Sequence, residues 1–414
     1  AKQVALLKEF PYADVRYSLD LYDPAEQKKI EAERAEVAKL RATKPAETFV
    51  APLVEPAGAG PVTRLFHRGD HDSPKGEIAP GELPILAVHH PGAVVPPKDP
   101  KRPTTGRRTA YANLLTDGKH PTVARVLVNR FWMHHFGRGI VATPADFGAF
   151  GEKPSLPELL DWLAADFMAG GWKLKRLHRL IMMSDAYRQR SERVPAAEKV
   201  DPENRLLARQ NVRRLEAEAV RDAMLAAGGK LIPKVGGPSI PVIENLEGTV
   251  VLGTAKIQAG LLAGTAGVGE EENRRSLYVQ ARRKLPLGML EAFDSPVMTP
   301  NCEARRATTA APQSLMLLNS PFTLAMAEHV ASAAEKEGGD DAAKARRLWR
   351  RVFAADAAPA DVDKVVAFVK RHAETLGRRA AELKDEKLRK APVPAAWAAA
   401  AQTLLCSNRF LYVD

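Results

Sequence analysis

An arginine, a histidine four residues on, an aspartate in the next loop, and a second histidine followed by a tyrosine make the first group of chemically capable side chains. They are Arg130, His134, Asp146, His178 and Tyr187. A histidine beside an aspartate can work as a general base with its orienter, an arginine can clamp a carboxylate, sulfate or phosphate, and a tyrosine can donate a proton. The same five can instead be a polar network tying three helices together, each buried group satisfied by another, and this is the reading the sequence favours. His134 and His178 could also bind a metal with Asp146, although two ungrouped histidines are thin support.

A second group lies between LEAFDSP and LLN: Asp294, Arg305, Arg306, Thr308, Gln313 and Asn319. An acid, two guanidinium groups and two amides on a loop can hold sugar hydroxyls or an anion; anchoring the loop to its own backbone is the commoner use. A third is the H-x-x-D-H-D run of His67, Asp70, His71 and Asp72. These are metal-ligating types, but between glycines and prolines they read more readily as a solvated turn. Glu291 and Asp294 are too weakly placed to read as a glycosidase acid pair. Ser184, Ser276 and Ser314 lack a G-x-S-x-G elbow, and the DFG triplet at Asp146 has no Gly-rich loop, VAIK or HRD segment with it.

The elements that must position these groups follow from periodicity and punctuation. A helix starts at His120-Pro121, runs to Phe136 and stops at Gly137. At about 100° per residue, Val123, Val126, Leu127, Arg130, Phe131 and His134 share one arc. A buried cation is costly unless paired, so this arc calls for a carboxylate, and Asp146 is the natural candidate. Ser155 and Glu158 form a capping box for the helix PELLDWLAADFMAG. A further helix is predicted from about Lys173 to Gln189, with Trp162 and Trp172 as core or staple residues. Residues 201–228 read as one capped helix ending at Gly228-Gly229, residues 230–275 as loops with short strands around Thr249–Leu252, and Ser276–Ala281 as a strand. A helix from about Pro312 follows, then helices over 321–336, 341–354, 359–385 and 394–407, rich in alanine and dependent on packing.

Upstream, Asp23 and Pro24 open a charged helix. Prolines and glycines through residues 49–112 favour extended chain, with Pro61–Phe66 and Leu83–Val88 as candidate strands. The expected architecture is therefore mainly α: a multi-helix domain with a few short β-strands and long Pro/Gly-rich loops. Its parts are a helical charged arm (1–48), an extended Pro-rich linker region (49–112) and a helical domain (113–414).

Composition limits the function classes. Hydrophobic residues at 45% and charged residues at 27% are ordinary for a folded soluble chain, and no apolar run is long enough for a membrane span. The net charge of +11 favours anionic partners in general. The basic residues come as scattered pairs, such as Arg213-Arg214 and Arg274-Arg275, with few aromatics between them, which argues against a stacking nucleic-acid surface. Cys302 and Cys406 exclude a disulfide framework and leave one bridge open; the absence of CxxCH means that this stretch carries no c-type haem. Metal content is left open. The start at AKQVALLKEF, without an initiator Met, reads as a piece of a longer or processed chain.

Several long words carry a resemblance: NRFWMHHFGRGIV, ADFGAFGEKPSLPELLDWLA, GWKLKRLHRLIMMSDAYRQ, DPENRLLARQNVRRLEAEAVRD, RRSLYVQARR, APQSLMLLNSPF and LLCSNRFLYVD. From about Asn113 to Asp414 the chain resembles the planctomycete-type domain of unknown function at the C-terminal end of large secreted proteins. Those proteins commonly carry a planctomycete cytochrome c domain, and sometimes a carbohydrate-binding-like β-sandwich. The resemblance implies an extracytoplasmic setting and no established activity. Its implied partners are neighbouring domains of the same parent chain, a c-type cytochrome domain among them, and an anionic polysaccharide. The leading expectation is an accessory or binding module supporting redox or polysaccharide-related work of its neighbours. The alternative is a hydrolase of anionic carbohydrate that uses Arg130, His134, Asp146 and His178.

Overall fold

A large aromatic side chain can decide which face of a helix goes inward, because burying it removes the most apolar area from water. The computed structural model describes residues 23–43, 54–55, 57–58, 60, 62–90, 92, 94–258, 261–296, 302–305, 307–382, 386 and 391–413. The chain divides into two units, Ala1–Val54 and Glu55–Asp414. In the first, α1 (Pro24–Ala42) is capped as expected: the Asp23 carboxylate accepts the N–H groups of Ala25 and Glu26 at 2.8 and 3.1 Å.

The second unit begins with an antiparallel hairpin, β1 (Arg64–Phe66) and β2 (Pro74–Glu77), and a short helix, α2 (Pro84–Ala87), in place of the strand expected at Leu83–Val88. Pro84 at the helix start fits its fixed φ. Helix α3 (Arg107–Thr116) follows. Two buried acid–histidine contacts fasten this region: His120 Nε2 to Glu82 at 3.3 Å and His90 Nε2 to Asp117 at 2.9 Å. The other nitrogen of His120, Nδ1, accepts the N–H groups of Thr122 and Val123 at 3.3 and 3.4 Å, so His120 caps the next helix.

That helix, α4 (Val123–Phe136), packs on α5 (Pro157–Ala169) and α6 (Leu174–Met182). Its buried stripe is Ala124, Val128, Trp132 and Phe136, which meets Leu160, Leu163 and Phe167 of α5 and Leu177 and Ile181 of α6. This corrects the arc read from the sequence. Trp132 and Phe136 turn the helix so that Arg130 is half-buried and His134 exposed. Of the two tryptophans expected in the core, Trp162 lies outside at 54% exposure and Trp172 is half-buried against Phe167.

Past the short α7 (Pro195–Val200), residues 201–216 are not helical, against expectation. The Asp201 carboxylate accepts the N–H groups of Arg205 and Leu206, at 2.9 and 2.7 Å, and closes a turn instead. The helix there is only α8 (Ala217–Ala227), preceded by β3 (Arg213–Arg214). Small antiparallel hairpins follow: β4 (Val242–Glu244) with β5 (Val250–Leu252), and β6 (Thr254–Gln258) with β7 (Leu261–Ala266). Ser276–Tyr278 is a 3₁₀ turn with one bridge from Val279 to Ile240, not a full strand. Its shape is imposed by Asp222, which accepts both the Ser276 N–H and hydroxyl at 2.7 Å.

The second core is built by α8, α9 (Gly288–Ala292), α10 (Ala311–Asn319), α11 (Pro321–Lys336), α12 (Asp341–Phe353), α13 (Pro359–Glu382), α14 (Pro392–Leu405) and α15 (Asn408–Leu411). Buried alanines 327, 331 and 334 on α11 and 396, 400 and 401 on α14 let these two helices lie close around Trp397. The last strand, β8 (Tyr412–Val413), returns to β3, pairing Arg213 with Val413 and Arg214 with Tyr412. The unit is mainly α, with small two-stranded sheets. Among the described residues no helix is long and apolar enough to cross a membrane. Cys302 and Cys406 are free thiols.

Candidate functional site

The β3–β8 pairing brings the end of α4, from the first core, against the loops of the second. A cleft of about 360 Å³ opens there. Its walls carry His134, Arg213, Asp294, Arg305, Thr309 and Tyr412 among others.

Asp294 lines the cleft at the end of α9, with a left-handed backbone (φ 62°) that a non-glycine residue adopts only when its surroundings hold it there. The surroundings here are hydrogen bonds. Its carboxylate accepts from Arg214 at 2.7 Å, from the Thr308 N–H at 2.9 Å and from the Thr308 hydroxyl at 2.9 Å. Buried Gln313 donates to the Thr308 carbonyl at 3.1 Å and closes the network. Burial works to raise the Asp294 carboxyl pKa, but the Thr308 bonds and Arg214 outweigh it and hold it below the usual range. Arg214, whose side chain is 4% exposed, also donates to the Thr308 and Phe293 carbonyls, and its Nε has no partner.

The cleft rim is charged differently. Arg305 makes a two-pronged contact with Glu218 and a further ion pair with Glu216 at 3.1 Å, so its fork is occupied. Arg213 donates one N–H to the His134 carbonyl at 2.7 Å, and among the described residues no other hydrogen bond engages its guanidinium. Its stem lies over Gly137, where an added β-carbon would stand 2.7 Å from Arg213 Cδ. Gly137 therefore serves twice, as the left-handed end of α4 (φ 82°) and as the seat of Arg213. Tyr412 on β8 and Thr309 in the loop before α10 join hydroxyls at 3.1 Å.

Beside the cleft, His135 Nε2 and His178 Nδ1 are 2.8 Å apart, joining α4 to α6. Tyr187 stands edge-on to His135 with ring centres 5.4 Å apart, and Phe131 edge-on to His178 at 5.1 Å. Burial, then the charges of His178, Arg213 and His134, push the His135 pKa below the ordinary histidine value.

The sequence-derived groups are thus redistributed. His178 and Tyr187 meet, but through His135; His134 faces the cleft, and no ion pair joins Arg130 or His134 to Asp146. The Asp146 carboxylate accepts the Gly148 N–H at 2.8 Å and shapes its own loop. The buried-cation argument fails because neither Arg130 nor His134 is buried. Of the second group, Asp294, Arg305 and Thr308 line the cleft and Gln313 backs it, whereas Asn319 bonds the Leu315 carbonyl of its own helix at 3.0 Å. Arg306 lies outside the described residues. Asp70, His71 and Asp72 place ligand atoms within 4.8 Å of one another and are fully exposed; His67 is not one of that cluster. Asp70 is already bonded to the Asp72 N–H and the Ser73 hydroxyl, as in an ordinary turn.

Sequence reasoning missed His135, Arg213, Arg214, Thr309 and Tyr412. A wheel centred on Trp132 and Phe136 would have set His135 at the edge of the core. The β3–β8 pairing that brings Arg213, Arg214 and Tyr412 together joins segments about two hundred residues apart and has no local signal, and Thr309 joins them through the Tyr412 hydroxyl.

No curated protein and no solved structure matches the chain. One family model does, over residues 107–369, well over half of the chain; it is described as PSD1, protein of unknown function (DUF1553). The chain belongs to this PSD1 family of proteins of unknown function.

Proposed function

We propose that this chain is a non-catalytic binding module that holds a hydroxyl-rich, anionic ligand, an acidic polysaccharide segment, in the cleft between its two cores. On this reading it is an accessory part of a larger secreted, planctomycete-type protein and serves neighbouring domains, a c-type cytochrome domain among them. One observation carries the reading: the rim offers the free edge of Arg213 and the Thr309 and Tyr412 hydroxyls, while the Asp294 carboxylate is spent. Asp294 has its oxygens filled by Arg214 and Thr308 and is held in its charged form. A group so fixed is poorly suited to protonate a leaving group or to attack a substrate. A cleft with a few polar groups of fixed orientation suits recognition.

The experiment is calorimetric titration of the purified chain with a galacturonate trimer and with a neutral galactose trimer, alongside an assay for released reducing ends. The acidic trimer should bind, the neutral one more weakly by about tenfold or more, and neither should be cleaved. Turnover by the chain alone, or equal binding of both sugars, contradicts the proposal.

A further inference from the structure

The free edge of Arg213 and the histidine pair belong to one arrangement. We propose that Arg213 is the anion anchor of this cleft and that the His135–His178 pair behind it takes up a proton when a sugar carboxylate binds there. The proposal rests on the cleft being a binding site.

The geometry supports the first half. Arg213 is aimed, not loose: its stem is seated on Gly137, and one N–H is fixed to the His134 carbonyl at the C-terminal end of α4. Arg213 lines a cavity of about 360 Å³, large enough for a sugar unit. Among the described residues, the other arginines lining the cleft are committed, Arg214 to Asp294 and Arg305 to Glu218 and Glu216. The cation they leave for an entering carboxylate is Arg213.

The second half follows from charge. The groups facing the pair are His134 on the same helix, Arg213 from β3, and the Tyr187 phenol ring beyond α6. Among the described residues no carboxylate is ion-paired with either imidazole, and the charged neighbours of His135 all disfavour its protonation. The 2.8 Å contact uses one nitrogen of each ring. In either tautomer one outer nitrogen, His135 Nδ1 or His178 Nε2, is left bare and can take a proton. A bound carboxylate cancels the field of Arg213, and the pair then holds a proton more readily. By reciprocity the ligand binds more tightly when the pair is charged. The probe's own carboxyl is ionised throughout this range and contributes no proton.

The test is calorimetry of the galacturonate trimer at about pH 6 in two buffers of different ionisation enthalpy, which reads protons exchanged on binding. The wild-type chain should take up a fraction of a proton and bind about threefold more tightly at about pH 5.5 than at about pH 7.5. Uptake should vanish in both His135→Gln and His178→Gln, and persist in His134→Gln, whose ring faces the cleft itself. Binding with equal heats in the two buffers overturns the proposal and leaves the binding reading standing. Uptake lost in His134→Gln but kept in His178→Gln assigns the proton to the rim and also overturns it. No binding at any pH removes the binding reading and this proposal together.

Discussion

Asp294 and His135 lie within one neighbourhood of the fold, and the fold treats their charges in opposite ways. Asp294 is surrounded by donors, with Arg214 and Thr308 bonded to it, and so stays ionised. His135 is half-buried, and burial first, then His178, Arg213 and His134 beside it, lower its pKa below the ordinary histidine value, with the Tyr187 ring edge-on to it. One group is a fixed strut and the other is poised. The difference shows that a cluster of titratable residues is not a site by virtue of composition; what matters is which lone pairs and donors remain unspent.

Replacing Arg214 by Met should break the strut most severely. It leaves Asp294 charged and half-enclosed without its cation, and by comparison with other buried pairs costs about 3–5 kcal/mol. Chemical denaturation would check this; a loss under about 1 kcal/mol would mean that the pair is no firmer than a surface contact. Changing Gly137 to Ala should have the next largest effect. The added methyl meets Arg213 Cδ and forces a left-handed φ on alanine, which together cost about 1–3 kcal/mol. It should also shift Arg213 and weaken binding of the acidic trimer, so stability and affinity fall together.

The smallest effect concerns pH. Because the His135 pKa is depressed in the folded chain, the unfolded chain binds more protons there. This contribution to stability is complete above the unfolded histidine value of about 6.5 and is lost as pH falls below it. His135→Gln should flatten stability between about pH 7 and 5. Asp294, whose folded pKa is also depressed, acts lower: its stabilisation is present above the unfolded aspartate value of about 3.9 and lost as pH falls through the folded one. Two separate acid transitions in the slope of stability, one removed by His135→Gln and the other by Asp294→Asn, would sharpen the contrast; a single slope insensitive to His135→Gln would erase it.

Much of the architecture was legible in residue order. The tail helices appear as expected because their proline starts and alanine faces are local features, and Asp23 caps α1 as its position suggested. Errors arose where distant residues decide. The arc on α4 was misjudged by counting apolar residues, when the bulk of Trp132 and Phe136 sets the rotation. Residues 201–216 read as helix because the turn made by Asp201 is a side-chain effect that periodicity does not register. In the cleft, Asp294, Thr308 and Gln313 could be grouped because they are close in sequence. Arg213 and Tyr412 could not, since only the β3–β8 pairing brings them together.

The central claim is that the unspent edge of Arg213 makes this cleft a binding site for an acidic sugar, and the affinity of the Arg213→Gln chain for the galacturonate trimer tests it most directly. The account predicts binding weaker by about tenfold or more with an unchanged denaturation midpoint. Wild-type affinity in a chain lacking that guanidinium would contradict it.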